Sequence, residues 1–210
     1  IYIEYSNEVW NSLFSQYKYN LDAAQSEVDS GISVLNNDET RDPEDWAMRR
    51  YAQRLVTISN IFRKVYGVQA INQQIRVILS WHILQPWEYK QQLDWVSSTY
   101  GAPEQYFYGI AGAGYFNIES INPNASLGTV FYNLLNSSNK GVKNRIALKQ
   151  IADEYNLNLC MYEGGPDTSG VLQWERDSAL LATLTQAHRD PMMRDLILHD
   201  LYNNWFANPG

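Results

Sequence analysis

Residues 74–82 have the sequence QIRVILSWH, and this stretch decides how the rest of the chain is interpreted. It is a run of β-branched and other apolar residues of strand length, without the alternation that marks a strand with one solvated face. Continuous hydrophobicity is typical of a parallel strand that helices cover on both sides. The stretch therefore predicts an α/β fold built on a parallel sheet.

Three other stretches have strand character, and helical patterns separate them. They are residues 1–5, 106–116 and 156–165. A loop is predicted from the first strand to about Pro43, and the glycines that end the third strand predict a flexible exit into a loop. Helices are predicted from Pro43 to Gly67, from Pro86 to Tyr100, from Ser126 to Tyr155, and over residues 178–188 and 191–206. Four strands with helical crossovers describe a parallel α/β sheet, and four such units are half of an eight-unit barrel.

Composition excludes several classes of function. Hydrophobic residues make up 45% and charged residues 19% of the 210 residues, which indicates a globular protein. The net charge of −7 argues against nucleic acid as a partner, and no apolar run approaches the roughly 20 residues of a membrane span. The single cysteine, Cys160, excludes an internal disulfide, and with three histidines we expect no metal site. The spacing of Gly109, Gly112 and Gly114 does not match a phosphate loop, and we expect no cofactor.

Two Asn-X-Ser patterns bear on localisation. They begin at Asn124 and Asn136 and match the acceptor pattern for N-glycosylation, so they favour an extracellular or secreted protein. The chain also opens directly within a strand pattern. This opening suggests a portion of a longer polypeptide, and the remainder of that polypeptide is then a partner of this sheet.

Two glutamates follow predicted strands at equivalent places. Glu8 follows the first strand and Glu163 ends the fourth. In a barrel, reacting groups project from the carboxyl ends of the strands, so both carboxylates are expected at one mouth. Glycoside hydrolysis needs such a pair, because one carboxyl group protonates the leaving oxygen while the other attacks the sugar or activates water.

The segments around these glutamates resemble a known family. YSNEVWN, which contains Glu8, is similar to the acid/base strand end of the clan A glycoside hydrolases, and MYEGG, which contains Glu163, is similar to their nucleophile strand. The resemblance implies that Glu8 is the acid/base, that Glu163 is the nucleophile and that Asn7 binds the sugar 2-hydroxyl. It also implies that residues 1–210 are a single partial TIM-barrel domain. This domain would hold strands 4 to 7 of a (β/α)₈ barrel and lack strands 1–3 and 8.

Further residues are candidates for substrate binding. Trp10, Trp81 and Trp174 offer flat faces for sugar rings, but core packing explains Trp10 and Trp81 equally well. His82 lies at a strand end and orients an acid, binds substrate or is a hydrogen-bonded structural residue. Tyr108 faces the mouth under one of the two registers of its strand.

Two functions of different classes remain open. The first is a retaining glycoside hydrolase that acts on a polysaccharide or oligosaccharide by double displacement at Glu8 and Glu163. The second is a catalytically inactive glycosidase-like barrel that serves as a glycan-binding or structural module of an extracellular assembly. The aromatic content, the Asn- and Ser-rich loops and the two glycosylation patterns suit the second function, and fold alone does not decide between the two.

Overall fold

The computed structural model describes residues 1–118, 122, 124–168 and 178–207. It confirms an α/β fold with a four-stranded parallel sheet in the strand order β1-β2-β3-β4. The strands are β1 (Tyr2–Ile3), β2 (Arg76–Ser80), β3 (Gly109–Asn117) and β4 (Asn158–Asp167). The α-helices are α1 (Ser15–Asp29), α2 (Pro43–Tyr66), α3 (Pro86–Tyr100), α4 (Leu127–Glu154), α5 (Ser178–Arg189) and α6 (Pro191–His199), and a π-helix follows at Asp200–Ala207.

The register of the first three strands brings their carboxyl ends to one edge. Tyr2 pairs with Arg76 and Ile78 pairs with Gly109, both in parallel ladders. The segment that follows β1 and the segment that follows β2 therefore leave the sheet at the same edge. Glu8 and His82 lie on these two segments.

Helices α2 and α3 begin and end where the sequence predicts. Asp42 caps α2 by accepting a hydrogen bond from the backbone N–H of Glu44 at 3.0 Å, and Pro43 occupies the first turn. Gly67 ends α2 with φ of 85° and Gly101 ends α3 with φ of 102°, a conformation that favours glycine.

The prediction of a loop from the first strand to Pro43 is wrong for Ser15–Asp29, because these residues form α1. This helix fully buries only Asn20 and Ala24, while Leu21 and Val28 are partly buried against the core, so its apolar face is narrow. The Asn20 side chain donates to the Ala47 carbonyl oxygen at 2.7 Å and accepts from Arg50 at 2.9 Å. Polar bonds to α2 thus act together with a narrow apolar face, Leu21, Ala24 and Val28, in holding this helix.

The glycines of the third strand belong to β3 itself and are not an exit from it. A Cβ atom at Gly109 would collide with the backbone carbonyl of Asn158, and one at Gly112 would lie 3.1 Å from the Ile83 side chain. The backbone N–H of Asn158 donates to the carbonyl oxygen of Tyr108 at 3.1 Å. Glycine is required here because another backbone approaches closely.

The chain divides into two compact units, each with its own core. The first unit comprises Ile1–Gly112 and Leu148–Cys160, and its core includes Tyr51, Leu79 and Leu93. The second unit comprises Ala113–Ala147 and Met161–Gly210, and its described core includes Phe116, Leu134 and Leu184. The interpretation of the chain as one partial barrel domain stays a prediction. No helix in the described residues is both long enough and apolar enough to cross a bilayer.

Candidate functional site

The turn after β1 holds Glu8 in a fixed orientation. Glu8 has φ of 46°, and Ser6, two residues earlier, has φ of 62°, so two non-glycine residues of this turn occupy the left-handed region. Such conformations cost roughly 1 kcal/mol or more each and cluster at functional sites. The Asn11 amide donates to Glu8 Oε2 at 2.8 Å, and the Asn11 backbone N–H donates to the Glu8 carbonyl oxygen at 2.9 Å.

His82 lies beside this turn, in the segment that follows β2. Its imidazole stacks on the indole of Trp10 with 4.4 Å between ring centroids and an interplanar angle of 26°. Burial lowers the pKa of His82, because a desolvated imidazolium is unfavourable, while the negative charge of Glu8 acts in the opposite direction. The fold therefore brings Glu8, Trp10 and His82 together in the first unit, with His82 favoured in its neutral form.

A cavity of about 450 Å³, the first cavity, opens next to this stack. Its aromatic lining consists of the indoles of Trp10, Trp81 and Trp87 together with His82. Its acidic lining consists of Asp42, Glu44, Asp45 and Glu88, which belong to the first turns of α2 and α3 or to the α2 cap. Aromatic walls with a few fixed polar groups are typical of small-molecule sites.

Trp81 is both a core residue and a wall of the first cavity. It is 5% exposed, and its ring packs against Tyr51 with 5.2 Å between centroids. Its indole N–H donates to Glu88 Oε2 at 2.6 Å. Core packing thus fixes the Trp81 indole. This indole lines the cavity and orients the Glu88 carboxylate there.

The carboxylates of the first cavity are held by neutral donors. Tyr17 donates its hydroxyl proton to Glu44 Oε1 at 2.6 Å, and this bond is the main reason why the pKa of Tyr17 is raised to about 12. Burial raises the pKa of Glu88; the Trp81 N–H opposes this effect and the charge of Glu44 adds to it. Within the described parts of the chain, none of the ion pairs includes an acidic residue of this cavity.

Comparison with family models, with curated proteins and with solved structures finds no match. The geometry of the first unit and the chemistry of its residues therefore carry the functional argument.

The other predicted substrate residues are spread over the structure. Asn7 is exposed, and its backbone carbonyl accepts from the Gln16 amide at 2.6 Å. Tyr108 lies at the amino ends of the strands. Its ring centroid is 5.7 Å from that of Tyr2 and 4.7 Å from the Arg76 Cζ atom. The structure thus brings neither side chain into the lining of the first cavity. Trp174 falls outside the described residues.

Glu163 lies within β4, which continues four residues beyond it to Asp167. Its side chain is half-buried, and it belongs to the second unit. The strand therefore does not end at this glutamate as the sequence pattern suggests, and its assignment as nucleophile stays a prediction.

The two glycosylation candidates differ in setting. Asn124 is exposed in a turn just before α4. Asn136 is half-buried within α4. Ser138, the serine of its Asn-X-Ser pattern, is buried, and its hydroxyl donates to Asp200 Oδ1 at 2.5 Å. Among the described residues, no group of three or more His, Cys, Asp or Glu side chains is placed to hold a metal ion.

Sequence reasoning missed the acidic lining of the first cavity. Its signal is the repeated motif of a proline, an acid and a tryptophan at a helix start, found at residues 43–46 and 86–88. Acids in a first helical turn are ordinarily explained by the helix dipole. In parallel α/β units, however, helices begin at the carboxyl edge of the sheet, so these acids also face the site.

Proposed function

We propose that the protein is a retaining glycoside hydrolase in which Glu8 is the acid/base and Glu163 the nucleophile. The observation that carries the proposal is the arrangement of Glu8, whose carboxylate is held by Asn11 in a left-handed turn beside the Trp10–His82 stack. The four-stranded parallel sheet corresponds, in this proposal, to strands 4 to 7 of a (β/α)₈ barrel.

The reaction follows from the chemistry of two carboxyl groups. A Glu163 oxygen attacks the anomeric carbon, and the bond from that carbon to the glycosidic oxygen breaks as Glu8 gives its proton to the leaving oxygen. A water molecule then attacks the glycosyl ester while Glu8 takes a proton from it, which releases the sugar and restores both residues. Asn11 contributes by orienting Glu8 throughout the cycle.

The chemistry of the first cavity supports a carbohydrate substrate. Indole faces suit the apolar C–H faces of sugar rings, and the cavity supplies acceptors for hydroxyl groups in Glu44, Asp45 and Glu88. His82 in its neutral form offers one donor and one acceptor. The protein is proposed to act outside the cell on a polysaccharide or oligosaccharide.

The roles of the two glutamates can be separated by kinetics on aryl glycosides. Glu163→Gln should abolish turnover of every substrate, because the covalent intermediate cannot form. Glu8→Gln should affect substrates with poor leaving groups far more than dinitrophenyl glycosides, and azide should restore turnover of Glu8→Ala, which leaves room for it, as the glycosyl azide. The matched control is Glu39→Gln, since Glu39 is also a glutamate with positive φ, at 66°, and is exposed.

Two results would contradict the proposal. One is full activity of Glu163→Gln; the other is the absence of cleavage across a panel of aryl glycosides and polysaccharides. Binding to polysaccharide without cleavage favours the second function, a glycan-binding module that retains the walls of a glycosidase. Labelling of Glu163 by a 2-deoxy-2-fluoro glycoside, located by peptide mass spectrometry, directly tests its role as nucleophile.

A further inference from the structure

A second cavity of about 510 Å³ lies in the first unit, along one side of α3. Trp87, Lys90, Gln91, Asp94 and Ser98 line it and follow the helical spacing of one face. This face extends for about 16 Å from Trp87 to Ser98 at the rise of an α-helix. The cavity is therefore elongated and rich in hydrogen-bonding side chains.

Trp87 lines both cavities. Its side chain is 59% exposed at the start of α3, which leaves an indole free to receive a ligand. The Gln91 amide of the second cavity donates to Asp45 Oδ1 of the first cavity at 2.5 Å. The two cavities are thus neighbours that share one exposed aromatic wall.

We propose that the second cavity binds further sugar units of a polysaccharide chain that also occupies the first cavity, with Trp87 as the shared stacking platform. This inference rests on the proposed function and goes beyond it, because it makes the substrate a long chain that passes over Trp87. An enzyme built in this way cleaves within chains and prefers polymers to short glycosides.

The charges of the two cavities define the class of polysaccharide. In the second cavity, Arg49 is paired with Asp38 at 2.6 Å, and Lys90 is paired with Glu154 at 2.5 Å, so both cations are neutralised. In the described residues, the acids of the first cavity are left without a cationic partner. The ligand is therefore a chain without carboxylate or sulfate groups, since an acidic chain would meet like charges.

Affinity electrophoresis in gels that contain a polymer tests this inference without requiring cleavage. The uncharged probes are hydroxyethylcellulose, mixed-linkage β-glucan, glucomannan and arabinoxylan. Carboxymethylcellulose is the anionic counterpart of hydroxyethylcellulose. At least one uncharged polymer should retard the protein, and the carboxymethyl polymer should retard it much less than hydroxyethylcellulose does.

Variants connect the retardation to Trp87 and the second cavity. Trp87→Ala should weaken binding to the retarding polymer by about three- to tenfold, the loss expected for one aromatic contact. Ser98→Tyr, at an exposed helix position, should weaken it by obstructing the far end of the second cavity. Leu84→Ala is the control, because Leu84 is 63% exposed and lines neither cavity.

Unchanged retardation of both variants overturns the inference, as does the failure of every uncharged polymer to retard the wild-type protein. A protein that binds these polymers through Trp87 but cleaves none supports the inference while contradicting the hydrolase proposal. If cleavage occurs, the ratio of kcat/KM for polymer to that for an aryl glycoside should fall in Trp87→Ala and Ser98→Tyr but not in Leu84→Ala.

Discussion

The imidazole of His82 lies 4.4 Å from the indole of Trp10, measured between ring centroids, and the planes are within 26° of parallel. This stack joins the segment after β1 to the segment after β2, so it fixes the edge where Glu8 lies. Trp10 and His82 thus form one wall of the site although they lie 72 positions apart in the sequence.

Removal of the Trp10 ring should raise the pKa of His82. Burial is the main cause of its lowered pKa, so Trp10→Ala exposes the imidazole and moves the pKa back toward 6.5. Glu8→Gln should lower the pKa of His82 further, because the favourable carboxylate charge is lost. Histidine resonances followed by NMR titration measure both shifts, with His188 and His199 of the second unit as internal references. A His82 pKa that does not rise in Trp10→Ala would show that the indole does not bury the imidazole in solution, and one that does not fall in Glu8→Gln would show that the Glu8 charge does not act on it.

The same lowered pKa makes stability depend on pH in a definite direction. The unfolded chain binds a proton at His82 more readily than the folded chain, so the free energy of unfolding rises with pH across this titration. The contribution is complete above the unfolded value near 6.5 and is lost as pH falls toward the folded value. Urea unfolding measured from pH 7.5 to pH 5 should show this loss, and His82→Gln should reduce it. An identical pH profile for the variant would rule out this linkage.

Glu88 should respond to its neighbours with opposite signs. Its pKa is raised mainly by burial, and Trp81 and Glu44 act on it in opposite directions. Trp81→Phe removes the N–H donor and should raise the pKa of Glu88, whereas Glu44→Gln removes a negative charge and should lower it. Carboxyl ¹³C titration by NMR measures these shifts. Glu104→Gln provides a control for loss of a carboxylate elsewhere in the first unit.

Gly109 should not tolerate alanine. The added methyl group would meet the backbone carbonyl of Asn158, which cannot rotate away, so Gly109→Ala should destabilise the protein by about 1–3 kcal/mol. Gly128→Ala, within α4, is the matched substitution, because the added Cβ would lie 3.7 Å from its nearest neighbour, the Ser126 hydroxyl oxygen. This control should be neutral or stabilising by up to about 1 kcal/mol. Chemical unfolding of both variants tests the contrast.

The sequence predicts those parts of the fold that local chemistry determines. Pro43, Gly67, Pro86 and Gly101 mark the ends of α2 and α3 because a missing donor or a positive φ must lie there. Helix α1 was missed because its apolar residues, Leu21, Ala24 and Val28, form only a narrow face, and a polar residue, Asn20, makes its buried hydrogen bond to α2. Tertiary hydrogen bonds of this kind have no signature within a short window of sequence.

The candidate site was predictable to a similar degree. Glu8, Trp10 and His82 meet because parallel strands deliver their following segments to one edge, and this rule needs only the strand pattern. Glu44 and Glu88 were not expected there because acids at helix starts have an ordinary explanation in the helix dipole. The role of Glu163 still depends on the resemblance of its segment to a family of hydrolases.

Loss of one partner of the buried ion pair in the second unit should be strongly destabilising. Arg145 and Asp200 are 1% and 2% exposed, their side chains are 2.8 Å apart, and Ser138 also donates to the Asp200 carboxylate. Arg145→Met leaves that carboxylate buried without a cation, which should cost about 3–5 kcal/mol of the free energy of unfolding. The double variant Arg145→Met, Asp200→Leu should lose less stability than the sum of its single variants, because no charge remains buried.

The surface pair Arg194 and Asp195, with 3.6 Å between their charged groups, is the control, and Arg194→Met should change stability by no more than about 0.5 kcal/mol. Urea unfolding of these variants measures the coupling, and additive losses in the double variant would show that the two side chains do not interact in the folded protein.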